Sequence, residues 1–194
     1  MFLNTPTVKK LFKRAFNSTG LVVSRPNEEL IYIAGSGWQI EMDYETMPFK
    51  QKAQLIELLG EIPDVGQRIV AHKNDQQYEF DTGSVLKTAY MAAKIAVYQA
   101  PVVIARPYLD YQLFQEQETK EFLAVNRELV SLIDIREIDF ENEGMPSGPC
   151  MIQNGNGLYW HNASGTLCIQ LEELDEEALK IVNLLQNIEI RRED

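Results

Sequence analysis

Residues 21–43, LVVSRPNEELIYIAGSGWQIEMD, decide the fold class of this chain. Three short runs rich in β-branched and aromatic residues, at 21–24, 30–34 and 38–43, are separated by the turn-forming segments RPNE and GSG. Runs of this length bounded by Pro, Asn and Gly are typical of strands joined by hairpin turns. The stretch therefore predicts a meander of three antiparallel strands.

The third run alternates apolar and polar residues along its length. Trp38, Ile40 and Met42 fall on one face, and Gln39, Glu41 and Asp43 fall on the other. Successive side chains of a strand point to opposite faces of a sheet, so this pattern predicts one buried face and one face in water.

The rest of the chain adds helices and further hairpins to this meander. Helical spacing of apolar residues predicts helices over 1–17, 48–59, 84–99, 114–133 and 175–188, and β-prone runs predict strands at 68–72, 78–81, 102–105, 158–161 and 166–171. We therefore expect an α+β fold of short, mainly antiparallel strands with about five helices, in a single domain spanning 1–194. The segment 141–157, rich in Gly, Asn and Glu, is expected to be a flexible connection.

Two segments resemble each other in the order of their features. Residues 30–59 and 158–185 both run strand, glycine-containing turn, strand, short acidic link and helix ending in Leu-Leu. A duplicated ββα unit explains this similarity, and so do two independent uses of a common supersecondary order. The sequence leaves both explanations open.

The composition is that of an acidic globular protein. The chain has 194 residues, of which 45% are apolar and 24% charged, and its formal net charge is -11. Nucleic acids and anionic membranes bind basic surfaces, so general affinity for either is not expected. An acidic surface is instead complementary to a basic protein partner.

The basic residues are concentrated near the N-terminus. Residues 1–27 hold five bases and no acid, whereas the remaining residues have a net charge of -16. In the helix predicted over 1–17, Lys9, Lys10, Lys13 and Arg14 lie opposite an apolar stripe. We expect this helix to dock on the acidic body or on a second copy of the chain, with contact to nucleic acid as the alternative.

No segment predicts secretion or membrane insertion. The basic opening residues are not followed by an apolar run with a cleavage site. The most apolar stretch, 91–105, is interrupted by Lys94, Gln99 and Pro101, and it is shorter than the about 20 residues of a spanning helix. We expect a cytoplasmic protein without a membrane partner.

Familiar catalytic and nucleotide-binding motifs, such as G-x-S-x-G, H-E-x-x-H and the phosphate-binding loop, are missing from the sequence. Cys150, His161 and Cys168 permit a thiol–imidazole couple. Cys168, however, lies between Leu167 and Ile169 in a predicted strand, where a buried and inert thiol is typical. We expect no cofactor.

Clustered acids support one enzymatic alternative. Asp134, Glu137, Asp139 and Glu141 lie close together in the sequence, and converging carboxylates can hold Mg²⁺ or Mn²⁺. Such a site would make the chain a metal-dependent hydrolase or nuclease. Acids of a solvated segment are the commoner explanation, so the leading hypothesis includes no metal.

Aromatic residues beside turns are the candidates for partner contacts. Trp38 and Trp160 lie in hairpin strands next to turns, and Tyr108 and Tyr111 lie around a turn that follows a proline. Side chains of this kind are enriched at protein interfaces. The leading hypothesis is therefore a non-enzymatic accessory protein, of bacterial, phage or mobile-element type, that binds another protein through its acidic surface.

The terminal helix favours self-association. Its apolar stripe is formed by Leu174, Ala178, Ile181, Leu185 and Ile188, and two further residues, Val182 and Leu184, widen it. One stripe is enough to cover the helix's own sheet. The extra width therefore predicts a homodimer.

Overall fold

Residues 1–81, 83, 86–136, 138–186 and 188 are described by a computed structural model of the chain. The helices are α1 (Thr5–Ser18), α2 (Phe49–Leu59), α3 (Leu86–Ala92), α4 (Arg127–Val130) and α5 (Glu176–Leu185). The strands are β1 (Leu21–Arg25), β2 (Leu30–Gly35), β3 (Trp38–Asp43), β4 (Gln67–His72), β5 (Asp75–Phe80), β6 (Ile95–Ile104), β7 (Tyr111–Glu116), β8 (Phe122–Asn126), β9 (Ser147–Met151), β10 (Gly157–Asn162) and β11 (Gly165–Gln170).

The strands form one antiparallel sheet in the order β5-β4-β1-β2-β3-β11-β10-β9-β6-β7-β8. The predicted meander β1–β2–β3 lies within it, and β3 pairs with β11. This sheet and five helices, counted over the described part of the chain, confirm the predicted α+β class. The single domain and the duplicated ββα unit stay predictions.

The sheet curves around its main core. The rings of Phe114 in β7 and Trp160 in β10 have centroids 6.1 Å apart, although β9 and β6 lie between these strands. Neighbouring strands are about 4.8 Å apart, so a flat sheet would separate the two residues by about 14 Å. We call the concave side, which carries Trp38 and Ile40, the inner face, and the side that carries Gln39 the outer face.

Helices cover both faces. On the inner face, α1 and α2 pack together, and the Phe12 ring of α1 stacks 6.0 Å from the Trp38 ring. On the outer face, α3 packs against β3, β10 and β11, and α5 contributes Ala178 and Val182 to a second core with residues of β6, β7 and β8. The covered outer face corrects the expectation that Gln39 and Glu41 lie in water, since Glu41 is only 3% exposed.

Residues 114–133, predicted as one long helix, instead include the second half of β7, then β8 and the short α4. The Glu116 carboxylate accepts hydrogen bonds from the backbone N–H groups of Glu118 and Thr119 and closes a tight turn. Lys120 follows with a φ of 64°, a left-handed conformation that does not occur inside an α-helix. The helix prediction was wrong because the turn from Glu116 to Lys120 interrupts the segment whose apolar spacing predicted one helix.

The helix predicted over 84–99 was too long. α3 ends at Ala92, and the strand β6 begins at Ile95 and runs through most of the predicted strand 102–105. The alanine-rich composition favours a helix, but the pairing of β6 with β7 outweighs this propensity. Residues 84 and 85, and residue 187 of the predicted terminal helix, lie outside the described residues.

The predicted flexible connection, 141–157, contains the strand β9, which pairs with β10 and with the start of β6. Gly148 in this strand has a φ of 122°, and a Cβ there would lie 2.4 Å from the carbonyl oxygen of Tyr159. Only glycine fits such a close approach between strands. Part of this segment is therefore sheet, which sequence composition did not indicate.

Candidate partner-binding site

The two tryptophans predicted to contact a partner belong to the core. Trp38 is 1% exposed and Trp160 is 5% exposed, and they pack against Phe12 and Phe114 on the inner face. The curved sheet needs large side chains to fill its concave side. The structure thus corrects the expectation that these side chains face a partner.

The two tyrosines differ in exposure. Tyr108 is fully exposed in the loop between β6 and β7, whereas Tyr111 is 8% exposed and belongs to the second core. Tyr108 lies at a cleft of about 780 Å³ that also includes Arg14 and Trp38. The cleft therefore brings three of the predicted residues together.

The arginines of this cleft are paired with acids of the same chain. Arg14 contacts Glu128, and the Arg127 guanidinium lies 3.7 Å from the Asp110 carboxylate. Arg106 contacts two acids at the start of α5. The cleft thus offers little net charge with which to select a partner.

The basic helix α1 packs on its own chain through its apolar side. Val8, Leu11, Phe12 and Ala15 are buried. Lys10, Lys13 and Arg14 are exposed and Lys9 is half-buried. Among the described residues, no acid forms a salt bridge with the three lysines. Apolar contact, and not ion pairing of the lysines, holds the helix in place.

The acids of the metal alternative have other partners. Asp134 accepts hydrogen bonds from Arg136 and Asn4, which hold its pKa well below the usual range. Asp139 closes its own turn by accepting from Asn142, Glu141 is exposed, and Glu137 lies outside the described residues. No three acids, histidines or cysteines of the described chain are grouped so as to hold a metal.

The cysteines are not activated. Burial raises the pKa of the Cys150 thiol, and it raises that of Cys168 to about 11. His161 is bound to Thr166, with 2.8 Å between Nδ1 and Oγ1, and burial lowers its pKa. At neutral pH both thiols are protonated and the imidazole is neutral, so neither cysteine is a ready nucleophile.

A site that the sequence did not indicate is the outer edge of β5, the end strand of the sheet. β4 is the only strand of the described sheet that pairs with β5. The Asp81 N–H donates to the Gly66 carbonyl, 3.0 Å away. This bond shows that Asp81, and with it every second residue before it in β5, directs its backbone groups toward β4. In an antiparallel pair every second residue directs its backbone groups away from its neighbour, so Gln76, Tyr78 and Phe80 present theirs at the free edge.

Apolar side chains are exposed along this edge. Phe80 is 91% exposed, Tyr78 is 56% exposed, and Val65 in the preceding loop is 47% exposed. The Tyr78 hydroxyl donates to the Glu61 carboxylate, 2.8 Å away, and this bond raises the pKa of the phenol. The bond fixes the position of the Tyr78 hydroxyl next to Glu61.

The surroundings of this edge are acidic. Residues 61–81 contain five acids and two bases, and one of the bases, Arg68, is paired with Glu79 at 2.9 Å. We use the name β5 edge for the strand Asp75–Phe80 together with Glu61 and Val65. The β5 edge combines free backbone groups, exposed aromatic rings and negative charge.

Comparison of the chain with known protein families, with curated proteins and with solved structures gave no match. Among the described residues, no helix is both long and apolar enough to cross a bilayer. The arguments about function therefore rest on the geometry of the chain itself.

Proposed function

We propose that this chain is a non-enzymatic accessory protein that binds an extended, basic segment of another protein along the β5 edge. The observation that carries the proposal is the free backbone of Gln76, Tyr78 and Phe80 beside two exposed aromatic rings. A peptide that adds a strand to a sheet gains main-chain hydrogen bonds, and its alternate side chains give specificity.

The two faces of the added strand meet different chemistry. Tyr78 and Phe80 share the inner face with the core residue Ile69, which is paired with Tyr78 across the ladder. Apolar side chains of the bound segment pack on these rings. Glu79 projects from the opposite face, and its charge together with the net charge of -11 attracts lysine and arginine side chains.

An alternating lysine–valine octapeptide with blocked ends tests this proposal. We expect fluorescence anisotropy to show saturable binding to the full chain, and no comparable binding of the matching glutamate–valine peptide. Phe80→Pro removes the outward N–H of residue 80, and an edge strand tolerates a proline at such a position. We expect this variant to bind the peptide about tenfold more weakly or worse, because a hydrogen bond is lost.

Phe80→Ala is the matched control, because it removes the ring and keeps the N–H. Binding by Phe80→Ala that is weaker than wild type but tighter than Phe80→Pro supports strand addition. Equal binding of the lysine and glutamate peptides, or a Phe80→Pro variant that is folded and binds as tightly as wild type, contradicts it.

We further propose that the chain is a homodimer joined through α5. The buried side of α5 is Ala178 and Val182, which corrects the stripe expected from the sequence. Leu184 and Ile181 of α5 are exposed, at 80% and 40%, and Ile188, which follows the helix, is 52% exposed. Two copies of this surface form a self-complementary contact about a two-fold axis. A cytoplasmic location is part of the same proposal, and cell fractionation tests it.

A further inference from the structure

A row of polar residues crosses the outer face of the sheet. Cross-strand partners in register connect seven strands, from β10 through β11, β3, β2, β1 and β4 to β5. In that order the residues are His161, Thr166, Glu41, Tyr32, Ser24, Arg68 and Glu79. We call these seven residues the polar row.

Much of the polar row is buried. Ser24 is 0% exposed, Thr166 is 1% exposed and Glu41 is 3% exposed. The helix α3 lies over one end, where its Lys87 N–H donates to the Glu41 carboxylate at 3.1 Å. Burying polar groups costs free energy unless they are paired, and apolar residues would stabilise a covered sheet face more. The three buried members are hydrogen-bonded, to Asp81, His161 and the Lys87 N–H, and these bonds offset the cost of their burial.

A cavity of about 300 Å³ lies beside the middle of the polar row, between the sheet and α3. Leu86 of α3 is part of its apolar wall. The polar residues of its lining are Ser24, Tyr32, Gln39, Arg68, Asp81 and Tyr159. This volume is at the small end of the range for ligand pockets. Convergent polar groups with one apolar wall are the usual composition of such sites.

The lining contains one group of each charge. The Asp81 carboxylate accepts a hydrogen bond from the Ser24 hydroxyl, and the Arg68 guanidinium lies 2.9 Å from the Glu79 carboxylate. Burial raises the pKa of Tyr32, and it raises that of Tyr159 to about 12. Both phenols are therefore protonated at neutral pH and can donate hydrogen bonds.

We propose that this cavity binds a small zwitterion, namely a free α-amino acid. The ammonium group lies against Asp81, the carboxylate lies against Arg68 and the Tyr32 hydroxyl, and the side chain lies along Leu86. Glu79 pairs with one end of the Arg68 guanidinium, but the buried Arg68 Nε has no hydrogen-bond partner among the described residues, so it can donate to a ligand carboxylate. A simple anion would leave Asp81 facing like charge. A ligand that carries both charges matches both groups, and this binding is separate from strand addition at the β5 edge.

Isothermal titration of the full chain with each of the twenty amino acids tests the proposal. We expect at least one to bind, and its N-acetyl derivative and its amide, which each lack one charge, to bind at least about tenfold more weakly. Absence of binding by every amino acid overturns the proposal. Equal binding of the N-acetyl derivative overturns the assignment of Asp81 to the ammonium group.

Variants locate the site. Tyr32→Phe removes one donor and leaves the ring in place, so we expect weaker binding by a folded protein, and Asp81→Asn is expected to abolish it. Tyr98→Phe, which removes a half-buried phenol of β6 that is not part of the cavity lining, is the matched control and is expected to bind as wild type. Equal loss in Tyr32→Phe and Tyr98→Phe, or loss in neither, contradicts a site in this cavity.

Discussion

The two ends of the sheet differ in how the outward backbone groups of their last strands are covered. At the β8 end, the Glu172 N–H donates to the outward carbonyl of Ala124 at 2.9 Å, and α5 packs Ala178 and Val182 over the neighbouring strands. At the β5 end, no described strand pairs with the outer side of β5, and Phe80 is 91% exposed. One edge is covered by the chain itself and the other is open.

An open edge is a hazard that proteins limit with charge, proline or short strands. β5 has six residues without lysine or proline, and its charges are those of Asp75 and Glu79. These two acids repel acidic copies of the same chain and attract basic strands. The contrast with β8 supports the proposal that the β5 edge binds a partner of opposite charge.

The largest effect on stability is expected from shortening a buried side chain at the covered end of the sheet. Leu113 in β7 is fully buried in the second core, and Leu113→Ala is expected to lower the free energy of unfolding by about 2–5 kcal/mol. Phe80→Ala at the open end is the control, with a change within about 0.5 kcal/mol because its ring is exposed. Urea unfolding measures both, and similar losses for the two variants would remove the distinction between the ends.

The difference between the two ends could not be predicted from the sequence. The meander could be predicted from the sequence because the alternation and the turn residues in 21–43 are local signals. The position of β5 depends on pairs such as Leu21 and Ala71, which are distant in the chain. The alternation around Glu41 likewise predicted a face in water. This was wrong because no neighbouring residue in the sequence signals that α3 covers Glu41.

The exposed side of α5 gives the next effect, on association. Leu184→Glu places a charge on a side chain that is 80% exposed in one chain, so the fold is unaffected while the proposed dimer contact is lost. Light scattering is expected to give twice the chain mass of 22.2 kDa for wild type and the chain mass for the variant. Lys180→Ala on the same helix is the control. A wild-type mass of one chain at every concentration would contradict the dimer.

A smaller, pH-dependent effect is expected where α5 begins. The Asp175 carboxylate accepts from the Ala178 N–H at 2.8 Å and contacts Arg106, and these bonds lower its pKa from 3.8. Since the pKa is lower in the folded state, the stabilisation is present above the ordinary pKa and is lost as the pH falls through the folded value.

Asp175→Ala is therefore expected to melt a few degrees below wild type at neutral pH, with a smaller difference in strong acid. Asp175→Asn keeps an acceptor for the Ala178 N–H and loses the charge. At neutral pH its melting temperature is therefore expected to lie between those of wild type and Asp175→Ala. Melting curves at both pH values decide this. A constant difference between wild type and Asp175→Ala would show that the carboxylate does not stabilise the covered end through its charge.

The smallest effect on stability, and the sharpest test of the open end, is expected from Glu79→Gln. The Arg68–Glu79 pair is 41% and 44% exposed at its two side chains, and exposed pairs contribute about 0–1 kcal/mol. We therefore expect little change in unfolding but weaker binding of the lysine–valine peptide at low salt. In 1 M salt charges are screened beyond about 3 Å, so wild type and variant should bind alike. A difference that persists at 1 M would mean that Glu79 acts through the shape of the edge, because a charge effect on a solvated strand does not survive that screening.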